Sequence, residues 1–264
     1  MKKYIKYEIE LVTKAPFRIG RVKPVPGTTD ADSPIVRLGN KVVVQGTSLK
    51  GALRAELERY LIDQFFDKAN NQWKDKWMKP CIPATAKIVS PDEKKLIDRG
   101  LYKYGCAYPD KSDKDNKEEN KYICPICYLL GARGLVGFVE VPFLNMEKGS
   151  VELLQFIRED RVLGTSAKGG ENGKGAIGKY ETVPEGSVFK GIMTILEEDD
   201  IIVWKLGEPR DLAESKGDKW LESGNWTRDK ILKELIEDRL KAITKLGGYK
   251  SKGFGDVQIN VRKL

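Results

Sequence analysis

The sequence predicts an α+β chain with a ferredoxin-like (RRM-like) core, because strand and helix patterns follow one another as β…α…β…β…α…β. Two apolar stripes at helical spacing supply the helices, one on Leu49, Leu53, Leu57 and Leu61 and one on Ile231, Leu232, Leu235, Ile236, Leu240 and Ile243. Two stretches break the pattern. They read as a large cysteine-containing insertion over 68–130 and a protruding β-hairpin over 158–187, within a single domain spanning 1–264.

Each element has a local reason. In Tyr4 to Val12, Ile5, Tyr7, Ile9 and Leu11 alternate with Lys6, Glu8 and Glu10, the pattern of a half-buried strand. A glycine- and proline-punctuated loop runs from Lys14 to Pro34, and Val42-Val43-Val44 reads as a short buried strand. Thr47 or Ser48 is expected to cap the first helix, whose first turn carries Lys50 and Gly51. Free N–H groups, a hydroxyl cap and a lysine make a ready anion site. Lys68 to Lys121 is dense in Lys, Asp and Asn, with Asp110 to Lys121 almost wholly polar. Leu135 to Val141 reads as a buried strand. Gly164 to Gly178, with Lys168, Lys174 and Lys179 interleaved, is framed by two extended segments and predicts a hairpin around a basic loop. Val188 to Leu196 is a further strand, the second helix ends at Gly247, and Val257, Ile259 and Val261 alternate in the last strand.

The chain has 264 residues, a formal net charge of +8 and no histidine. A basic bias on a mixed-charge surface is compatible with nucleic acid. Absence of histidine excludes Ser-His-Asp triads, Cys-His pairs and histidine-based ribonuclease chemistry, leaving carboxylate, lysine, tyrosine or a bound metal. No segment has the length of a membrane span and the start carries no signal-like apolar stretch, so a soluble cytoplasmic protein without a membrane partner is expected.

The end of the second helix is the densest functional signal. Gly247, Gly248, Tyr249, Lys250, Ser251, Lys252, Gly253, Phe254 and Gly255 combine four glycines, two lysines and two aromatics. Glycine lets a backbone approach a polyanion, lysine adds charge, and Tyr249 and Phe254 offer faces for a base. A glycine C-cap followed by a turn is the alternative. Cys124-x-x-Cys127 has the knuckle spacing of a tetrahedral zinc site that Cys81 and Cys106 can complete, with no open position for catalysis. Buried free thiols or a disulfide are the alternatives.

Four segments, in order, carry a family resemblance. They are Asp32-Ser33-Pro34-Ile35-Val36 with Gln45-Gly46-Thr47-Ser48-Leu49-Lys50-Gly51-Ala52-Leu53-Arg54; Cys124-Pro125-Ile126-Cys127-Tyr128-Leu129-Leu130-Gly131; Asp160 to Ala167 leading to Tyr180 to Phe189; and the C-terminal glycine loop. Together they resemble the backbone subunits of type III CRISPR effector complexes, in the repeat-associated mysterious protein (RAMP) superfamily, most closely the target-cleaving subunit of the Csm branch.

The resemblance implies copies of the chain stacked with other effector subunits along a guide CRISPR RNA that is presented to complementary target RNA. Guide phosphates would be held by Ser48, Lys50, Gly51 and Arg54 and by Gly247, Gly248, Lys250, Ser251, Lys252 and Gly253. Lys168, Lys174 and Lys179 would belong to a thumb that pushes between bases. Asp32 would support target cleavage with Mg2+ or another divalent cation; Asp30, two residues away, is a weaker match, and an Asx turn before proline is the alternative reading of either. Arg18, Arg21 and Arg133 are further phosphate contacts or solvated charges. Related backbone subunits carry zinc near the cysteine pair, which implies a structural Zn2+. A scaffold without catalysis, or an endonuclease processing CRISPR precursor RNA, are the other functions compatible with these segments.

Overall fold

Alternation in Ile5, Tyr7, Ile9 and Leu11 makes the first strand, β1 (Lys2–Thr13), one-faced: these four side chains are buried while Lys6, Glu8 and Glu10 leave the opposite face polar. The computed structural model describes residues 1–20, 31–83, 89–106, 122–157, 177–212 and 217–264. After β1 come β2 (Arg37–Leu38), β3 (Lys41–Val44) and the long helix α1 (Gly46–Phe65). The insertion begins with the ribbon β4 (Phe66–Asp67) and β5 (Gln72–Trp73) and continues to α2 (Pro91–Asp98) and α3 (Pro125–Leu130). Then follow β6 (Val139–Glu140), β7 (Leu144–Lys148), β8 (Glu152–Ile157), β9 (Ile177–Thr182), β10 (Val188–Asp199) and β11 (Trp204–Lys205). The last helix is continuous from α4 (Arg228–Lys230) through a π segment (Ile231–Glu237) into α5 (Asp238–Lys241), and β12 (Val257–Lys263) closes the chain.

The main sheet runs in the order β12-β1-β10-β7-β3-β2, with β6 also paired to β10. Reading β1, β6–β7, β10 and β12 as strands one to four gives the order 4-1-3-2, all antiparallel, with α1 and the last helix as the two crossovers. This is the ferredoxin-like arrangement expected from the element order. Register places like with like: Ile5 faces Ile195, Tyr7 faces Met193 and Leu11 faces Phe189. Leu49, Leu53, Leu57 and Leu61 are fully buried against this face, with Ile231, Leu235 and Leu240 of the last helix.

Four local expectations need correction. The second helix ends at Lys241, not at Gly247, because the following segment pairs with the residues just before β12 instead: Lys245 bridges Asp256 and the Leu246 N–H donates to the Gly255 carbonyl. Helix α1 is not capped by Thr47 or Ser48: it starts at Gly46, with Gln45 in the cap position and no side-chain cap. Gly46 must lie close to the β6–β7 connection, where a Cβ would sit 2.5 Å from the Val141 carbonyl oxygen. That approach pulls the helix start forward by one to two residues. The strand expected over Leu135 to Val141 shrinks to Val139–Glu140, because Ala132 and Leu135 pair with each other in a turn instead. The stripe from Ile231 is read as an α-helix, yet its centre is π-helical. The wider turn keeps Ile231, Leu235 and Ile236 inward while Glu234 accepts a hydrogen bond from Tyr60 and Glu237 one from Tyr7.

The hairpin expectation lies largely outside the described residues. Its base is described: β8 and β9 pair antiparallel from Glu152–Thr182 to Ile157–Ile177.

Candidate nucleic-acid interface and metal centre

The open face of the sheet offers no base-stacking platform. Lys190 pairs with Glu10 at 2.9 Å, Arg262 with Glu8 at 3.1 Å, and Asn260 donates to Glu10 at 3.0 Å. Tyr4 is the only exposed aromatic of β1, β10 and β12. Candidate site residues gather instead on loops beside the sheet.

The first gathering surrounds Asp32. Its segment runs alongside β9: the Ser33 N–H donates to the Lys179 carbonyl and the Glu181 N–H donates to the Ser33 carbonyl. Glu181 fixes that register, accepting the Ile35 N–H at 2.9 Å and a bidentate pair from Arg37 at 2.8 and 3.0 Å. Asp32 itself is exposed, and its carboxylate accepts the Lys179 N–H at 2.9 Å. Arg18 lies next to it, donating from Nη2 to the Ser33 carbonyl at 3.1 Å and hydroxyl at 2.9 Å. Its guanidinium sits against the rings of Tyr180 and Tyr249, 5.4 and 5.1 Å from their centroids. A hydrogen bond to Tyr249, then burial, raises the Tyr180 phenol above its ordinary range.

The C-terminal loop closes the same site from the other side. Gly247 (φ +91°) and Gly255 (φ +84°) are glycines because their own chain crowds them. A Cβ on either would lie 2.3 Å from a carbonyl oxygen, of Arg18 and Leu246 respectively. Phe254 is buried against Phe156 and Tyr249, so it packs the loop instead of presenting a face for a base. Gly248, Lys250, Ser251, Lys252 and Gly253 are exposed, and the three middle residues form a single 3-10 turn. Thus Asp32, Arg18, Lys179 and this loop come together from four regions of the chain. Arg21, Asp30, Lys168 and Lys174 lie outside the described residues. Arg18 departs from the solvated-charge alternative, being 3% exposed. Tyr180 and Ser33 were not singled out as site residues; nothing in their local sequence separates them from strand and loop positions.

A second gathering lies at the start of α1. A groove of about 750 Å³ is lined by Thr47, Lys50, Arg54, Lys2 and Arg133 together with the segment after α3. Gly51 is exposed with open space where a Cβ would stand, and Ser48 is half-buried in the first turn. Burial, reinforced by the neighbouring Arg54 charge, lowers the Lys50 pKa. Arg54 is turned away from solvent: Nη2 donates to Cys127 Sγ at 3.8 Å.

That contact leads to the metal centre. Cys124 caps α3, Cys127 lies in its first turn, Cys81 is bridged to Lys103, and Cys106 follows. All four sulfurs lie within 4.8 Å of one another; Cys81 is 3.3 Å from Cys127 and 3.7 Å from Cys124. A tetrahedral Zn2+ with bonds of about 2.3 Å separates its sulfurs by roughly 3.8 Å, so the set fits the ion with little movement. The Cys124 N–H donates to Cys106 Sγ at 3.4 Å, as a thiolate ligand invites. Hydrogen bonds from Cys124, Cys127 and Cys81 hold the Cys106 thiol well below its ordinary pKa. Two cations answer the charge. Burial works against the ammonium of Lys103 and the guanidinium of Arg54, but nearby thiolates outweigh it and raise both pKa values. A tetrathiolate zinc carries two net negative charges, matching these two cations. Lys103, fully buried with its Nζ 2.6 Å from the Tyr122 carbonyl, was not recognised from sequence, where it resembles any charge of a lysine-rich insertion.

Among the described residues no helix is long and apolar enough to cross a membrane. The family model of the RAMP superfamily matches residues 10–258. A chain in the cryo-EM structure of the Type III-B Cmr-beta bound to cognate target RNA is similar at 12% identity and a TM-score of 0.49, over 99% of this chain. The present chain spans 61% of that one. No curated protein matches the sequence.

Proposed function

Because the chain belongs to the RAMP superfamily, we propose that it is a guide-RNA-binding backbone subunit of a type III CRISPR interference complex, of the Csm type, that cleaves complementary target RNA at Asp32. The observation that carries this reading is the meeting of Asp32 with the hairpin base at Lys179, Arg18 and the C-terminal loop. An exposed carboxylate beside a basic, loop-built surface suits a metal ion shared with a phosphodiester. Asp32 would hold such an ion, which when bound would supply charge neutralisation at the scissile phosphate or a lowered pKa for a bound water. A nucleotide displaced by the hairpin would gain the in-line geometry that cleavage requires. Guide phosphates are assigned to Ser48, Lys50 and Gly51 at the α1 groove and to Gly248, Lys250, Ser251, Lys252 and Gly253. The four cysteines hold a structural Zn2+ that ties the insertion to α1.

One observation favours a non-catalytic scaffold of the same complex. Among the described residues no cluster of three or more acidic, histidine or cysteine ligands includes Asp32. A metal there would have Asp32 as its protein ligand and water or RNA oxygens for the rest of its shell, so bound RNA would add to its hold.

The test uses the guide-loaded complex containing this chain or its Asp32→Ala variant, with guide-complementary RNA, in Mg2+ and in chelator. Regularly spaced cuts that disappear in chelator and in the variant are expected. Tight target binding with no cuts assignable to this subunit would leave the scaffold function standing and sink the nuclease.

A further inference from the structure

Among the described residues two arginines are buried, Arg18 and Arg210, and their surroundings differ. Arg210 is fully enclosed, and its guanidinium is matched by Asp218 at 2.8 Å from both Nε and Nη2, with Nη1 on the Val136 carbonyl. Arg18 is 3% exposed, yet no carboxylate pairs with it among the described residues, and its buried Nη1 has no hydrogen-bond partner. Only Nη2 is satisfied, by Ser33. Leaving a charged donor unmet inside a protein is costly. The Nη1 of Arg54 is likewise without a hydrogen-bond partner, but that guanidinium lies against the cysteine sulfurs, whereas no anionic group pairs with Arg18 among the described residues.

The surroundings are nonetheless built for this side chain. Gly20 leaves the space that the guanidinium fills, since a Cβ there would lie 2.7 Å from Nη2. The Arg18 carbonyl accepts the Gly248 N–H at 3.0 Å and is where Gly247 makes its close approach. Tyr180 and Tyr249 cover the guanidinium with their rings. Tyr249 does so from a left-handed backbone, φ +58°, which a non-glycine residue adopts only under constraint.

We propose that Arg18 is a phosphate-binding residue of the Asp32 site, and that Tyr249 is a lid covering it until a phosphodiester oxygen takes the open position on Nη1. A phosphate suits the vacancy because a guanidinium binds its oxygens through parallel charge-assisted hydrogen bonds. Ser33, which holds Nη2, is the neighbour of Asp32, so the bound phosphate lies beside the carboxylate assigned to cleavage. The lid turns on glycines: Gly247 and Gly248 precede Tyr249, and Gly253 (φ +80°) ends its turn. This inference rests on the RNA-binding function above and adds the ligand group and its gate.

The full chain is titrated with inorganic tripolyphosphate, which has no base to stack, and with fluorescein-labelled oligouridine. Variants are R18Q, R18K, Y249G and Y249F, each checked by thermal unfolding. Arg18→Gln should weaken tripolyphosphate binding about tenfold, the scale of one charge-assisted contact. Tyr249→Gly should tighten it severalfold, because the closed population no longer lowers the apparent affinity. Tyr249→Phe, which keeps the ring over Arg18 and loses only the hydroxyl that meets Tyr180, should tighten it less than Tyr249→Gly does. Should Arg18→Gln fail to fold, Arg18→Lys supplies the measurement, keeping charge but losing the fork. Equal affinity in all variants, or weakening by Tyr249→Gly, overturns the proposal. If wild-type chain binds no oligouridine, the RNA-binding function itself fails; if it binds and the Arg18 variants match it, only this inference does.

Discussion

The Asp32 carboxylate and the Lys179 backbone N–H, 147 positions apart, are joined by a 2.9 Å hydrogen bond. Asp32, the carboxylate proposed for cleavage, is therefore also the latch on the hairpin base. These roles separate by substitution. Asp32→Asn retains an oxygen able to accept the Lys179 N–H but loses the charge, so it should abolish metal-dependent cleavage and leave amide exchange at Lys179 slow. Asp32→Ala should lose both, with faster exchange at Lys179 read by hydrogen-exchange mass spectrometry. Equal exchange in the two variants would deny the latch.

The purified chain should hold one equivalent of divalent metal on Cys81, Cys106, Cys124 and Cys127, measured by elemental analysis. Cys124→Ser should remove it and lower the unfolding temperature. Lys103→Met should weaken metal affinity by roughly 10–100-fold, as loss of an outer-sphere partner does, read by chelator competition. Unchanged affinity would mean that the Lys103 charge does not serve the site.

Glycines of the two segments proposed to bind RNA should respond differently to a new side chain. Gly51 and Gly248 face open space, so Gly51→Glu and Gly248→Glu should fold normally and weaken guide RNA binding through charge. Gly247→Ala should cost about 1–3 kcal/mol of stability from backbone strain alone, because its Cβ would lie 2.3 Å from the Arg18 carbonyl. Urea denaturation beside RNA-binding isotherms distinguishes the two classes.

Arg210 and Asp218 form a fully buried pair with Tyr128, Phe138 and Trp204 around the guanidinium. Arg210→Met strands a buried carboxylate and should destabilise the fold by about 3–5 kcal/mol, whereas the double change to apolar residues should recover much of it. Chemical denaturation of wild type, Arg210→Met, the single Asp218→Leu variant and the double variant gives the coupling directly. A single variant as stable as wild type would contradict the pairing.

The contrast between Arg18 and Arg210 also marks how far sequence reading reaches. Arg18 stands between Phe17 and Ile19 and Arg210 between Pro209 and Asp211, and neither neighbourhood tells which arginine carries a carboxylate partner.

Sequence pattern by itself determined β1, β3, β10, β12 and both crossover helices, because burial of one face imposes a period of two on a strand and near four on a helix, whereas β7 was not legible in it. Residue chemistry by itself singled out Cys124-x-x-Cys127 as a zinc knuckle that Cys81 and Cys106 can complete, since few side chains ligate zinc, and the tertiary structure brought the four sulfurs together. Only the tertiary structure decided that Gly46, Gly247 and Gly255 serve the chain's own close contacts, that Arg54 turns to sulfur, and that Lys103 lies buried beside the cysteines. It also decided that Asp32, Arg18, Tyr180 and Tyr249 share one site. Local pattern records which face of an element is apolar. Contacts between residues far apart in the chain depend on how the loops return, and that is settled when the sheet assembles and brings the connections together.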